Sequence, residues 1–432
     1  MMAKLLVSVT LLLCSACVCA QDLILRNVHL VDVEKGLVHQ QQDVLITDGK
    51  ITSFKPKKRQ LKGLQVIDGK GRYVMPTLFD MHAHIGPQNR NYLDSFLKYG
   101  VTGVRVMAGD EHLLSWSDSI ARGDLRGPAL YVASPLYDGN PPLWGENHDG
   151  PVLEDKTRVR ELVRKHQQTG YREIKVYNRL PEEVYLEILQ AADEAGIKVA
   201  GHIPYTLSSE HFGDARHASI EHLDGMIQYA TTLTPAWEQG KEEGTRRTLY
   251  QQYDKAALAP YAAKIKRNGV WLCPTLSLYG NINREEVKQE LEQLAGEEPA
   301  GGLLGWWGSM PDQVKENFRL KHEGNRQFIQ DHFLDYEDHI LIGTDSPNPY
   351  NLPGLAVHHE MEQLTEAGFS NAAVLKMATY NAARYLGLLD SQGTVTVGKA
   401  ANLLLLDENP LEDIKNTKKI HLVLINGQVQ NR

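Results

Sequence analysis

Residues 73–86 read YVMPTLFDMHAHIG, and their reading decides the fold. The apolar run YVMPTLF predicts a buried strand, and His82 and His84 leave its end two residues apart. Side chains two apart on a strand point to the same face. Both imidazoles can therefore grip a single divalent ion, and neutral imidazole is a common zinc ligand. An HxH pair is weak evidence by itself; its weight comes from the residues that follow.

Those residues are Lys175 in EIKVYN, His202 in VAGHIP, His222 in SIEHLDG and Asp345 in LIGTDSP. Taken singly, a lone histidine is more often a core residue, Lys175 a solvent-facing lysine and Asp345 a turn or cap. Here all six candidates stand at or near the C-terminal ends of predicted strands. The centre of the chain alternates strand and helix, with expected strands at 73–81, 102–107, 128–133, 172–177, 197–202, 219–222, 270–275 and 340–345. Helices are expected at 155–168, 181–195 and 255–267. In the second of these, Pro181 opens the helix and Gly196 caps it. This α/β pattern predicts a (β/α)8 TIM-like barrel, whose catalytic groups converge at the C-terminal face of the strands. A doubly wound sheet would not gather ligands from so many strands into one mouth.

The flanks have a different character. LILRNVHLVDV, DVLITDGKITSF and QVIDGKG are short strand patterns, with turn signals at Asp48-Gly49 and Asp68-Gly69. ANLLLLDENP and HLVLINGQVQ at the far end are similar, and neither flank is long enough to bury a good core alone. The expected organisation is a signal peptide at 1–20, a small β-sandwich domain built from 21–70 and 393–432, and a (β/α)8 barrel at 71–392. Two stretches, 232–254 and 280–312, fit the alternation poorly. They are read as long loops able to form a lid, or as packing elements around Trp306 and Trp307.

With 432 residues, 42% of them hydrophobic, the chain can bury a large core. The formal charge is −8, and its densest basic run is KPKKR at Lys55–Arg59. Nucleic acid is therefore excluded as an expected partner. Lys4, the apolar LLVSVTLLLCSACV and Val18-Cys19-Ala20 form an export signal, which predicts a periplasmic or extracellular protein. The apolar run is short for a membrane span. Cys17 offers a lipid-anchored start as the alternative. Three of the four cysteines lie in this leader, so the mature chain would keep only Cys273, read as a core residue in VWLCPTL.

The ordered set of HxH, lysine, two single histidines and aspartate resembles the amidohydrolase superfamily, in particular its binuclear branch with a carboxylated lysine. The closing segment ATYNAARYLGLLDSQGTVTVGKAANLLLLDENPLEDI is similar too, with Asn402 where many relatives carry Asp. The resemblance implies that His82, His84 and Asp345 hold one divalent metal ion and that His202 and His222 hold a second. Lys175, converted by CO2 to a carbamate, would bridge them. Zinc is the expected ion, and a one-metal site with unmodified Lys175 is the competing form. Asp345 would be the general base and acid.

The phrases GHIP and SIEHLDG look most like prolidase-like and imidazolonepropionase-related members. They imply cleavage of a C–N amide bond, in a dipeptide or N-acyl amino acid, by a secreted dipeptidase-like enzyme. Lactonase or phosphotriesterase chemistry and deamination at the same site remain alternatives, and a metal-free binding protein on the same fold is a further one. Candidate substrate-binding residues are Tyr177, two after Lys175 on the same strand parity, Arg179 in the next loop, His148 in PLWGENHDG, and Tyr205 after His202. His358 and His359 fall on a helical pattern and are read as structural. The partner is a small molecule with an amide bond; a homo-oligomer is compatible with the sequence.

Overall fold

The computed structural model describes residues 22–223, 226, 254–297 and 299–430. The expected leader at 1–20 lies outside them, as does the 232–254 stretch up to Asp254. Among the described residues no helix is long and apolar enough to cross a membrane.

The chain opens with β1 (Leu23–Asp32), β2 (Leu37–Thr47), β3 (Lys50–Ser53), β4 (Gln65–Asp68) and β5 (Tyr73–Pro76). A second series is β6 (Leu78–Ala83), β7 (Val101–Val106), β8 (Ala129–Val132), β9 (Glu173–Val176), β10 (Lys198–Gly201), β11 (His217–Glu221) and β12 (Trp271–Cys273). It closes with β13 (Leu403–Leu406), β14 (Ile420–Ile425) and β15 (Gln428–Val429). The fold is α/β, with one mixed sheet and two parallel ones.

The mixed sheet runs β15-β14-β13-β5-β1-β2-β3, with β4 paired to β1. Both chain flanks thus contribute to it, meeting where Val74 of β5 lies opposite Leu405 of β13. Strand periodicity explains the four consecutive leucines of β13. Leu403 and Leu405 pack with Leu23, Val44 and Val74 in one core, whereas Leu404 and Leu406 point into the larger core that includes Met75 and Leu78.

The expected strand 73–81 is in fact two strands in two sheets. β5 belongs to the mixed sheet and β6 to a parallel one. Pro76 has no N–H to continue a ladder, and Thr77 turns its own N–H to Asn402 O at 3.1 Å. A continuous apolar run is buried either way, so its periodicity could not reveal the break.

The parallel sheets run β6-β7-β8 and β9-β10-β11-β12. Backbone hydrogen bonds join them at both edges. Arg172 N donates to Val132 O (2.8 Å), Ser134 N to Glu173 O (2.8 Å) and Tyr137 N to Lys175 O (2.9 Å). At the other edge the segment 340–345 lies between β12 and β6, through Leu341 N to Leu272 O (2.9 Å) and Met81 N to Ile342 O (2.7 Å). This last expected strand forms isolated bridges rather than a ladder. Gly343 permits the close approach, because a Cβ there would stand 2.4 Å from Cys273 Sγ and 2.7 Å from His82 Cβ.

Helices alternate with the parallel strands and carry the expected end signals. Asp110 caps Glu111–Arg122 by accepting from Leu113 N, and Gly123 ends that helix in the left-handed conformation. Glu182–Ala195 follows Pro181 and stops at Gly196. The 280–312 stretch contains the helices Glu285–Gln293 and Ala300–Gly308. Trp307 is buried there against Tyr350, and its indole N–H donates to Pro347 O at 3.2 Å.

Candidate metal centre

Five side chains at or just beyond strand ends, with Asp345 from the bridged 340–345 segment, converge on one region. His82 sits on β6 and His84 just beyond it; their rings are 5.4 Å apart, centroid to centroid. His82 also packs on His222 at 4.4 Å, and His222 on His202 at 4.9 Å. Asp345 reaches in from the segment bonded to β6, its Oδ1 2.8 Å from His84 Nε2 and 3.2 Å from His82 Nε2. Lys175, at the end of β9, is buried, and its charge acts on His202, His222 and Asp345.

The backbone is shaped for this convergence at a cost. His222 and Asp345 have φ of 60° and 55°, and Thr275, whose hydroxyl meets His222 Nδ1 at 2.7 Å, has φ of 49°. Such conformations cost of order 1–3 kcal/mol each for non-glycine residues and collect at functional sites.

The electrostatics suit a cation. Burial, reinforced by Lys175 and His222, holds His202 well below the ordinary imidazole range. Burial also lowers His222, with His82 adding to the effect. Both are thus neutral, the form in which imidazole ligates. Burial alone would raise Asp345, but His222 and His84 beside it hold its carboxyl well below the usual range. Burial lowers the Lys175 ammonium, against the pull of Glu221 and Asp345.

Lys175 Nζ, His82 Nε2 and Asp345 Oδ1 are all buried without an aligned hydrogen bond among the described residues. Buried polar atoms are rarely left so, and a bound ion is a recognised partner for such groups. His82, His84 and Asp345 each bring one ligand atom within 4.8 Å of the others. The donor set therefore fits a divalent metal. A second group, His82, Glu221 and Cys273, meets the same spacing but fits poorly. The Arg105 guanidinium already lies 2.6 Å from Glu221 Oε1, and burial pushes the Cys273 thiol well up, away from the thiolate a metal needs.

The supporting contacts were not legible in sequence. His82 Nδ1 lies 2.6 Å from Glu221 Oε2, and His202 Nδ1 lies 2.7 Å from Asn178 Oδ1. Arg105 donates to Glu221, to Glu173 Oε2 (3.2 Å), to Tyr385 Oη (3.1 Å) and to Met81 O (2.5 Å). The one available signal was a charged residue, Arg105, inside the apolar strand VTGVRV.

The four candidate substrate residues fall around this centre unequally. The Tyr177 ring lies 4.1 Å from that of His202, centroid to centroid and tilted by 37°, and its hydroxyl accepts from Trp144 Nε1 at 3.1 Å. Arg179 donates to the carbonyls of Pro141 and Pro142, which ties it to the loop bearing Trp144. His148 lies on that loop, half-buried. Tyr205 donates its backbone N–H to Asn178 O at 2.8 Å, beside His202. His358 and His359 lie on helix Leu355–Glu366, bonded to Thr417, Tyr99 O and Glu290 rather than to the centre.

Residues 73–429 match the Amidohydrolase family, which is most of the chain. The chain belongs to that family. It is an amidohydrolase-family hydrolase, and the family is typically metal-dependent. Among curated relatives, adenine deaminase 1 of Latilactobacillus sakei subsp. sakei (strain 23K) is 20% identical over 423 residues. That alignment takes in 94% of this chain but only 57% of the relative's length. The 5-methylthioadenosine/S-adenosylhomocysteine deaminase of Caldanaerobacter subterraneus subsp. tengcongensis is 24% identical over 448 residues, covering 94% of this chain and 92% of the relative. Prolidase-like amidohydrolases share the fold. One, a Xaa-Pro dipeptidase with methionine bound in its active site, superposes with a TM-score of 0.69 at 19% identity, covering 95% of this chain and 100% of that one.

Proposed function

We propose that this amidohydrolase is an exported enzyme that hydrolyses the C–N bond of a dipeptide or N-acyl amino acid at a two-metal site. We further infer that the two joined parallel sheets, with the 340–345 segment as the eighth member, form a (β/α)8 barrel whose mouth holds that site. The observation that carries the reading is the convergence of three buried ligand atoms, Lys175 Nζ, His82 Nε2 and Asp345 Oδ1, none with an aligned hydrogen bond among the described residues.

His82, His84 and Asp345 would hold one ion, and His202 and His222 the other. Lys175 would bridge them as a carbamate. Burial favours the neutral amine, the form that adds to CO2 with loss of one proton. Bound zinc would supply Lewis-acid polarisation of the scissile carbonyl and acidify a water.

The remaining work falls to the chain. Asp345, held ionised, takes the proton of the attacking water and delivers it to the leaving nitrogen. Asn348 Nδ2 donates to Asp345 Oδ2 at 2.8 Å and fixes the plane of the carboxylate. Tyr177, its ring packed against that of His202, would bind a substrate oxygen. The Xaa-Pro dipeptidase among its structural relatives supports a peptide-type substrate; the two deaminases favour a second reading, loss of ammonia from an amino-substituted heterocycle.

A panel of dipeptides, N-acyl amino acids, lactones, phosphotriesters and aminopurines, with products read by mass spectrometry, tests the proposal. Turnover of the first two classes is expected. Ammonia release from the aminopurines alone would replace it with the deaminase reading, and turnover only of lactones or phosphotriesters would contradict both.

A further inference from the structure

The two ring nitrogens of His82 face different surroundings. Nδ1 lies 2.6 Å from Glu221 Oε2, both side chains being fully buried. Nε2 is the atom turned toward Asp345. We propose that Glu221 is a positioning residue that sets the tautomer of His82, keeping the proton on Nδ1 so that Nε2 presents its lone pair to a cation. The inference rests on the metal-centre reading for its purpose, although the tautomer itself does not depend on metal.

The argument is one of donors and acceptors. An ionised carboxylate only accepts, and a guanidinium only donates and is never deprotonated in proteins. Glu221 Oε1 accepts from Arg105 Nη2 and from Ser219 Oγ, each at 2.6 Å. Arg105 is itself locked by Met81 O, Glu173 and Tyr385, so it cannot turn away. With Oε1 committed to donors, Oε2 also needs one, and His82 Nδ1 is the atom beside it. Were the proton on Nε2, two lone pairs would oppose each other at 2.6 Å between two fully buried side chains, where a low dielectric makes the mismatch costly. Carboxylates commonly orient metal-bound histidines in this way, and losing such a partner typically costs 10–100-fold in metal affinity.

Glu221→Gln makes the proposal sharp because it keeps the volume and changes only the donor pattern. Arg105 and Ser219 both donate toward Oε1, so the amide must place its oxygen there and aim its NH2 at His82. Nδ1 then becomes an acceptor, and the proton moves to Nε2, the ligand position.

The test is a long-range 1H–15N spectrum of the 15N-histidine-labelled, metal-free full chain near pH 8, with His82 assigned by its loss in His82→Gln. Zinc affinity of the same proteins is then measured by competition with a chelator. The expected result is an Nδ1–H tautomer in the wild type, an Nε2–H tautomer in Glu221→Gln, and zinc affinity about 10–100-fold lower in the variant. An Nε2–H tautomer in the wild type would overturn the proposal, even if the variant failed to fold. An unchanged tautomer in a folded Glu221→Gln would overturn it equally. The Glu173→Gln variant, which alters Arg105's other partner without touching His82, is expected to leave the tautomer alone; a shift there of the same kind would mean that the network, not Glu221, sets it. Failure of every variant and of the wild type to bind zinc would instead defeat the metal-centre reading and leave the tautomer result standing.

Discussion

Two buried clusters of charge meet at His82 and are built on opposite rules. In one, Arg105, Glu173, Glu221, Ser219 and Tyr385 satisfy each other: the guanidinium has a partner on every nitrogen, and both carboxylates accept from it. In the other, Lys175, His82 and Asp345 converge with Nζ, Nε2 and Oδ1 lacking an aligned hydrogen bond among the described residues. Burying charge is tolerable when it is matched and costly when it is not. The first cluster is therefore a finished piece of scaffold. The second is incomplete as a set of protein atoms alone, and it lies where two candidate ligands, His222 and Asp345, also carry backbone strain. The contrast separates charge that holds the fold from charge arranged to hold something else.

The largest expected effect lies in the unfinished cluster. Asp345→Asn removes the proposed base and a candidate ligand and should lower turnover by about 10³-fold or more, with the fold retained in circular dichroism. A variant with near-normal turnover would remove Asp345 from the chemistry. Next comes the finished cluster, where the effect should be on stability. Arg105→Met strands two buried carboxylates and should cost about 3–5 kcal/mol in denaturant unfolding. Lys175→Met is the matched comparison, since it removes a buried charge that has no hydrogen-bond partner. Metal-free Lys175→Met should be within about 1 kcal/mol of the metal-free wild type, or more stable, while taking up less metal. If it unfolded as readily as Arg105→Met, the division between the two clusters would fail.

The smallest effect belongs to a third, half-exposed group. Burial works to raise Glu290, but His359 and Lys418 outweigh it and bring it from 4.5 to about 2. A carboxyl lowered on folding contributes stability that is complete above its ordinary value and lost as pH falls through the lowered one. The melting temperature should therefore decline between about pH 4.5 and 2, by the equivalent of about 1 kcal/mol for this group given its partial exposure. Glu290→Gln should flatten that part of the curve; an unaltered slope would assign the loss to other carboxylates.

The two clusters also differ in how far the sequence disclosed them. All six converging residues could be named in advance, because strand parity and position at a strand end are local properties. The satisfied network could not. Its members pair across separations of 68, 116 and 280 residues, and nothing local marks Glu173 or Tyr385 as partners of Arg105. The fold shows the same limit. Helix Glu182–Ala195 was bounded by Pro181 and Gly196, both visible signals. The run 73–81, however, divides between two sheets because pairing, not apolarity, decides membership. The segment 340–345 makes single bridges instead of a ladder because it must deliver Asp345, at positive φ, to the two histidines.

The most direct test is the metal content of the purified mature protein, measured by elemental mass spectrometry without added metal. Two zinc-like ions per chain, with a mass gain of one CO2 on the Lys175 peptide under conditions that preserve a carbamate, are expected. No bound metal, even after reloading with zinc and bicarbonate, would contradict the account: the converging buried atoms of Lys175, His82 and Asp345 would then serve something other than a metal centre.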